Sequence, residues 1–273
     1  MSNVLVIGSA SLDVLHLAGQ SVPSIGGAGL YTALAARCAG ARVGLLAPRP
    51  DPMPAALQRV AERLTWMGPT VSPDQLPRLE IAHHGGGRAT LLSAAWGAVS
   101  SLTPEALPPD LSDTAIVHIA ALPSADRQLE FVRACRARGA ARLSAGTYAR
   151  SATSECDLVR ELYESVDLFF LNENEATLLF GNAEAIPARQ GNLVFVTLGE
   201  RGALVIGHDH TTHIPGVPAV ERDPTGAGDT FCGTTLAGLA RGQAPETAAQ
   251  CAVRLAAEMI GEIGPARLLA GRE

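Results

Sequence analysis

The feature that most restricts the fold of this chain is a regular alternation of short apolar runs with stretches of helical period. Val4–Gly8 is a β-branched run, followed by a glycine-rich loop and a helical stretch, Leu30–Ala39, that Gly40 closes. Val43–Ala47 reads as strand and Ala55–Leu64 as helix. Ala115–Ile119, Arg142–Ala145 and Leu168–Leu171 read as strands, with Asp126–Arg138 and Leu158–Glu164 as helices between them. Glu175–Phe180 is a helix stopped by Gly181, Leu193–Leu198 and Ala203–Ile206 are strands, and Thr230–Arg241 and Pro245–Ile260 are helices. Strands that are apolar throughout and separated by helices are buried on both faces. The alternation therefore predicts an α/β fold: a doubly wound, mostly parallel central sheet with helices on both faces.

One segment breaks this order. Arg78–His84 and Arg88–Ala95 flank Gly85-Gly86-Gly87, the pattern of a β-hairpin with a glycine turn. It reads either as an edge addition to the sheet or as a flap over a site. With no linker, repeat or low-complexity tract, residues 1–273 are expected to form a single domain, with a small β lid drawn from about 14–25 and 78–99.

Composition narrows the function. Hydrophobic residues make up 47% and charged residues 18%, enough to bury a large core, and the net charge is −6 with no long basic run. Nucleic acid and acidic membrane are therefore not expected partners. No apolar run approaches the ~20 residues of a membrane span, and the first residues read as a strand rather than a signal peptide. Five scattered cysteines without a C-x-x-C pair fit a reduced, cytoplasmic protein better than a zinc site. The chain has no lysine, so all 21 basic residues are arginine. That excludes the lysine-bearing P-loop, the protein-kinase plan and Schiff-base chemistry.

The stretch richest in chemistry is Asp223-Pro-Thr-Gly-Ala-Gly-Asp229, which opens an apolar helix. Gly226, Ala227 and Gly228 would set consecutive N–H groups at the positive end of the helix dipole, an anion site. Asp229 just inside could take a proton from an attacking hydroxyl. Read alone, the same pattern is also that of a common helix cap.

This motif resembles that of the ribokinase-like (PfkB-type) carbohydrate kinases, and three further segments match in order. The resemblance implies an ATP-dependent kinase with Gly226, Ala227 and Gly228 as anion hole and Asp229 as the base. Asn172-Glu-Asn-Glu175 resembles the family's N-x-x-E element, so Asn172 and Glu175 are expected to organise Mg²⁺ and phosphate. Val196-Thr-Leu-Gly-Glu-Arg-Gly202 resembles its nucleotide loop, which places Thr197, Gly199 and Gly202 near ATP. Asp13 and the pair Gly26-Gly27 match the acceptor site, with Asp13 expected at the end of the first strand. The resemblance also implies a monovalent cation such as K⁺ beside Asp223.

Two departures bear on the acceptor. Tyr31 stands where ribokinases carry an asparagine that touches the sugar, and Ala28 where they carry lysine. Tyr31 is expected to line the acceptor pocket and favour a ringed molecule, with Arg88 of the hairpin turn reaching a polar group. His208, His210 and His213 read as a turn between strands. The reading is a kinase for a small sugar, polyol or inositol-like hydroxyl, with association of two copies through the lid. A nucleoside kinase of the same fold, or a catalytically silent ligand-binding member, is the alternative.

Overall fold

A computed structural model describes residues 3–17, 19–86 and 89–270, and Arg88 of the hairpin turn lies outside them. Strands follow the chain as β1 (Asn3–Ile7), β2 (Ser11–Leu17), β3 (Gln20–Gly26), β4 (Arg42–Leu46), β5 (Arg49–Pro50), β6 (Thr65–Met67), β7 (Thr70–Val71), β8 (Arg78–His83) and β9 (Ala89–Ala95). They continue as β10 (Ile116–Ile119), β11 (Leu143–Gly146), β12 (Leu168–Asn172), β13 (Leu193–Thr197), β14 (Gly202–Ile206) and β15 (Thr211–Pro215). The α-helices are α1 (Ala28–Cys38), α2 (Ala55–Arg63), α3 (Ala125–Ala137), α4 (Ala149–Ser154), α5 (Cys156–Ser165), α6 (Glu173–Phe180), α7 (Ala227–Ala240), α8 (Pro245–Met259) and α9 (Ala266–Ala270). None is long and apolar enough to cross a membrane among the described residues.

Nine strands form the central sheet in the order β15-β14-β13-β12-β11-β10-β1-β4-β6. The pairs from β6 through β13 are parallel, and β14 and β15 add an antiparallel edge. Residue parity divides the core. Leu5 and Ile7 of β1 pack with Leu129, Phe131, Val159 and Leu162 on one face. Val4 and Val6 pack with Leu30, Leu34, Leu255 and Met259 on the other. Burial on both faces explains why these strands read as unbroken apolar runs.

The chain leaves β1 for β4 on one side and reaches β10 on the other, so strand order reverses between β1 and β10. Loops leave the carboxyl ends in opposite directions there, opening a crevice. On this crevice lies α7, buried continuously from Thr230 to Leu239. A Cβ on Gly233 would fall 2.1 Å from the Thr32 carbonyl oxygen, so glycine at this position lets α7 and α1 touch backbone to backbone.

The smaller sheet runs β3-β2-β8-β9. The segment between Asp13 and Gly26, expected to contribute to a small β lid, forms most of a tight hairpin in which Ser11 pairs with Gly26 and Leu17 with Gln20. β8 joins β2 in parallel and β9 antiparallel, which confirms the hairpin read at 78–95. Pro23 and the serines weaken the strand pattern here, so the bounds of β2 and β3 were not readable from sequence.

Candidate active site

A cavity of about 280 Å³ lies over the carboxyl ends of β10 to β13 and the first turn of α7. Asn172, Glu175, Thr197, Gly226, Ala227, Gly228 and Asp229 all line it, so the turn, the N-x-x-E element and one nucleotide-loop residue share one space.

The turn is shaped by its glycine. Gly226 caps α7 with φ 76°, left-handed backbone open to glycine at little cost, and a Cβ there would meet the Tyr31 ring at 2.4 Å. Gly228, by contrast, faces open space. Asp229 carries the only charge in α7, and burial pushes its carboxyl up to about 7. It sits at the threshold between acid and base near neutral pH, as a proton acceptor should.

Asn172 and Glu175 form a reciprocal cap on α6. The Asn172 N–H donates to Glu175 Oε2 (2.9 Å), the Asn172 amide donates to Oε1 (2.8 Å), and the Glu175 N–H donates to Asn172 Oδ1 (2.9 Å). The cap fixes Glu175 in the cavity wall. Burial lifts its carboxyl to about 8 against the Asn172 bonds, and the Asp229 charge lifts it further. Two carboxyls thus face one cavity, and no arginine lines it among the described residues. Among the described lining residues, the positive partners open to a phosphate are the helix dipole and N–H groups. A hard cation would complete the balance, and oxygen donors at Asn172, Glu175 and Asp229 suit Mg²⁺ held mostly by phosphate and water. No group of three or more His, Cys, Asp or Glu side chains converges among the described residues, so these side chains build no closed metal cage.

The cavity has a wall that sequence reading missed. His118 of β10, Gly146 at the end of β11, Thr147 and Tyr148 after it, and Phe170 of β12 line it. Ser144 Oγ lies 2.9 Å from His118 Nδ1, and burial drives this imidazole down to about 3, so it is neutral. Thr147 Oγ1 is buried with no partner in the protein. Gln128 of α3 holds this wall by donating to the carbonyls of Ala120 (2.9 Å) and Gly146 (2.8 Å). The available signal was position, since all of these lie near or just past the carboxyl ends of strands, at the ligand-binding edge of the sheet.

The acceptor residues expected from sequence take other places. Asp13 lies within β2, not at the end of the first strand; it is 4% exposed, accepting from Ser11 Oγ (2.9 Å) and the Leu79 N–H (3.0 Å). Burial raises its carboxyl to about 6 against those two bonds. Gly26 leaves room for it, since a Cβ there would fall 2.0 Å from Asp13 Oδ2, and Gly27 caps α1 with φ 101°. Tyr31, expected in the acceptor pocket, is 1% exposed and is not among the cavity-lining residues. Its ring backs Gly226, and its hydroxyl is buried without a protein partner. Burial, then Asp223, Asp13 and Asp229, hold its phenol well above the usual range.

In the nucleotide loop, Gly199 is open around its Cα, whereas a Cβ on Gly202 would fall 2.0 Å from the Ile214 carbonyl oxygen. Gly202 thus serves strand packing. Asp223 is fully buried, and its oxygens accept from the N–H groups of Thr225 (2.9 Å) and Gly264 (2.7 Å). The three clustered histidines diverge: His208 bonds the Ala188 carbonyl, His210 faces Glu246 and His213 bonds the Arg201 carbonyl.

Comparison with known proteins agrees with this arrangement. The model of the pfkB family carbohydrate kinases matches residues 1–269. A cytidine kinase from Thermococcus kodakarensis is 28% identical over 274 residues, 97% of this chain and 98% of that protein. A ribokinase structure from Cryptococcus neoformans superposes with a TM-score of 0.80 at 20% identity, over 98% of this chain and 97% of that one. An adenosine kinase structure from Sinorhizobium meliloti gives 0.78 at 22% identity, over 97% and 95%. The fold is ribokinase-like, and with its family model matched almost end to end the chain belongs to the PfkB family of carbohydrate kinases.

Proposed function

We propose that this kinase transfers the γ-phosphoryl group of ATP to a hydroxyl of a small sugar-bearing acceptor. The observation that carries the reading is the shared cavity: an ionisable Asp229 beside the Gly226–Gly228 N–H groups, with Asn172 and Glu175 opposite. Asp229 accepts the hydroxyl proton as the oxygen attacks the γ-phosphorus. The bond from that phosphorus to the β–γ bridging oxygen breaks, and ADP leaves. Bound Mg²⁺ would neutralise phosphate charge, held at Asn172 and Glu175. Thr197 and Gly199 border the nucleotide. A K⁺ ion beside Asp223 belongs to the same reading, and equal rates in sodium, potassium and choline salts would remove it.

The acceptor reading favours the sugar ring of a nucleoside over a free polyol or inositol. A likeness spanning nearly the full length leads to a cytidine kinase, and the described acceptor side adds no cation to select a sugar acid. The smaller sheet is the lid in this reading. Its exposed Val14, Leu91 and Leu92 offer the surface on which two copies would associate, and sedimentation at micromolar concentration tests that.

The decisive experiment measures ADP release across nucleosides, sugars and inositols for the parent chain and for Asp229→Asn. The variant keeps the shape and loses the base, so turnover should fall by roughly 10²–10⁴-fold while ATP binding persists. Parent-level turnover in Asp229→Asn would sink the assignment. Release with no acceptor of the panel would instead leave a ligand-binding member of the family.

A further inference from the structure

The smaller sheet carries three histidines among its described residues, and they divide by where they bond. His16 lies 2.8 Å from Glu80 and 3.0 Å from Ser21, both within the sheet. His84, one residue past β8, lies 2.9 Å from Thr90 on the neighbouring strand. His83 makes no such local bond. Its Nε2 is 2.9 Å from Thr225 Oγ1 and 3.5 Å from Asp223 Oδ1, on a segment 142 residues away in sequence. The side chain is 6% exposed, and Nδ1 is buried with no protein partner.

Those partners flank Pro224 at the start of the turn that becomes Gly226, Ala227 and Gly228. Asp223 Oδ1 accepts the Thr225 N–H, and Oδ2 accepts the Gly264 N–H ahead of α9. A carboxylate can only accept, so an Nε2–H shared between Thr225 Oγ1 and Asp223 Oδ1 satisfies both contacts. Three segments then converge on one buried carboxylate, and among the described residues only His83 comes from the smaller sheet. A histidine serving its own sheet would bond as His16 and His84 do.

We propose that His83 is a positioning residue that locks the smaller sheet onto the turn of the anion hole. The N–H groups of residues 226–228 must be aimed before charge develops on a phosphoryl oxygen, because reorienting them during the reaction removes their advantage. His83 gives the sheet a direct hold on that aim. Covering the site and completing its donor set become one event. This inference rests on the proposed transfer reaction for its kinetic consequence but not for its structural one.

The test is a double-mutant cycle with a substrate-free arm. His83→Ala should lower kcat/KM by roughly ten- to a hundredfold, as for loss of a buried bond to a charged group. His83→Gln, which keeps an N–H at similar reach, should restore most of it. Adding Thr225→Val to His83→Ala should cost little more, because both remove one bond. Additive losses would overturn the proposal. So would a His83→Ala protein with a lowered Tm and unchanged kcat and KM values.

In the second arm, amide exchange without ligand should quicken in His83→Ala at both Arg78–His83 and residues 225–229. Quickening confined to Arg78–His83 would overturn the lock whatever the protein phosphorylates. Joint quickening in a chain that transfers no phosphoryl group would keep the lock and remove the kinase reading instead.

Discussion

At the scale of single groups, Asp229 and Glu175 are the carboxyls from which a pH response is expected. With burial holding Asp229 at about 7, its base form is lost as pH falls, so kcat/KM should decline below about pH 7. A profile flat down to pH 5 would contradict the base assignment. Glu175 affects stability with a definite sign. Its carboxyl titrates near 8 in the fold against an ordinary value of 4.5, so the fold favours its protonated form. That contribution is complete below about pH 4.5 and is lost as pH rises through about 8. Glu175→Gln keeps a capping partner for Asn172 and removes the titration, so its Tm should fall less than the parent's between pH 5 and 8. Equal slopes would mean that Glu175 ionises in the fold as it does in water.

Tyr31 is the residue where sequence and structure part. The expectation of a pocket-lining phenol followed from its place just inside α1, and that place holds. What sequence could not supply was the neighbour, because Gly226 lies 195 positions away and its missing side chain is what admits the ring. Tyr31→Phe should therefore leave acceptor KM unchanged and hold or raise Tm, since it removes a buried hydroxyl without a partner. Tyr31→Ala should cost roughly 3–5 kcal/mol. A rise in acceptor KM for Tyr31→Phe would return the hydroxyl to the pocket.

At the scale of elements, what was legible was what repeats. Apolar runs and helix stops located seven of the nine central strands to within a residue or two, because double-sided burial leaves short unbroken apolar runs between helices; β6 and the polar edge strand β15 carry no such run. The Asn172–Glu175 pair was legible, and the structure shows a reciprocal cap whose two residues line the cavity. The bounds and pairing of β2 and β3 were not legible, since half their residues are polar or proline. The His118 wall was not either, because a lone histidine in a buried strand has no local signature. Helix contact gives a further test: Gly233→Ala sets a Cβ against the Thr32 carbonyl and should destabilise the protein by about 1–3 kcal/mol through the α1–α7 contact. A Tm within a degree of the parent's would show that the helices part easily.

Across the whole molecule, the absence of lysine and the acid cavity describe one strategy. With no lysine in the chain, the proposed reading has phosphate charge met by backbone N–H groups, the α7 dipole and a hard cation at oxygen donors. The reversal of strand order between β1 and β10 supplies the crevice, and the smaller sheet lies beside it with His83 on the turn.

The burial of α7 has a consequence for how this enzyme can diverge. The helix that carries Asp229 is also the one whose residues from Thr230 to Leu239 are all interior, so inheritance of the chemistry and inheritance of the fold are tied together. Drift there would forfeit both at once. Freedom to explore new acceptors is expected in the part of the cavity wall that lies outside α7, at Ala120, Ala121, Gly146, Thr147 and Tyr148. A randomised library over those five positions should yield mostly soluble proteins with altered preferences, whereas one over residues 230–239 should yield mostly aggregates. The lineage of such a protein would record its history of diet along the strand ends and its ancestry along α7.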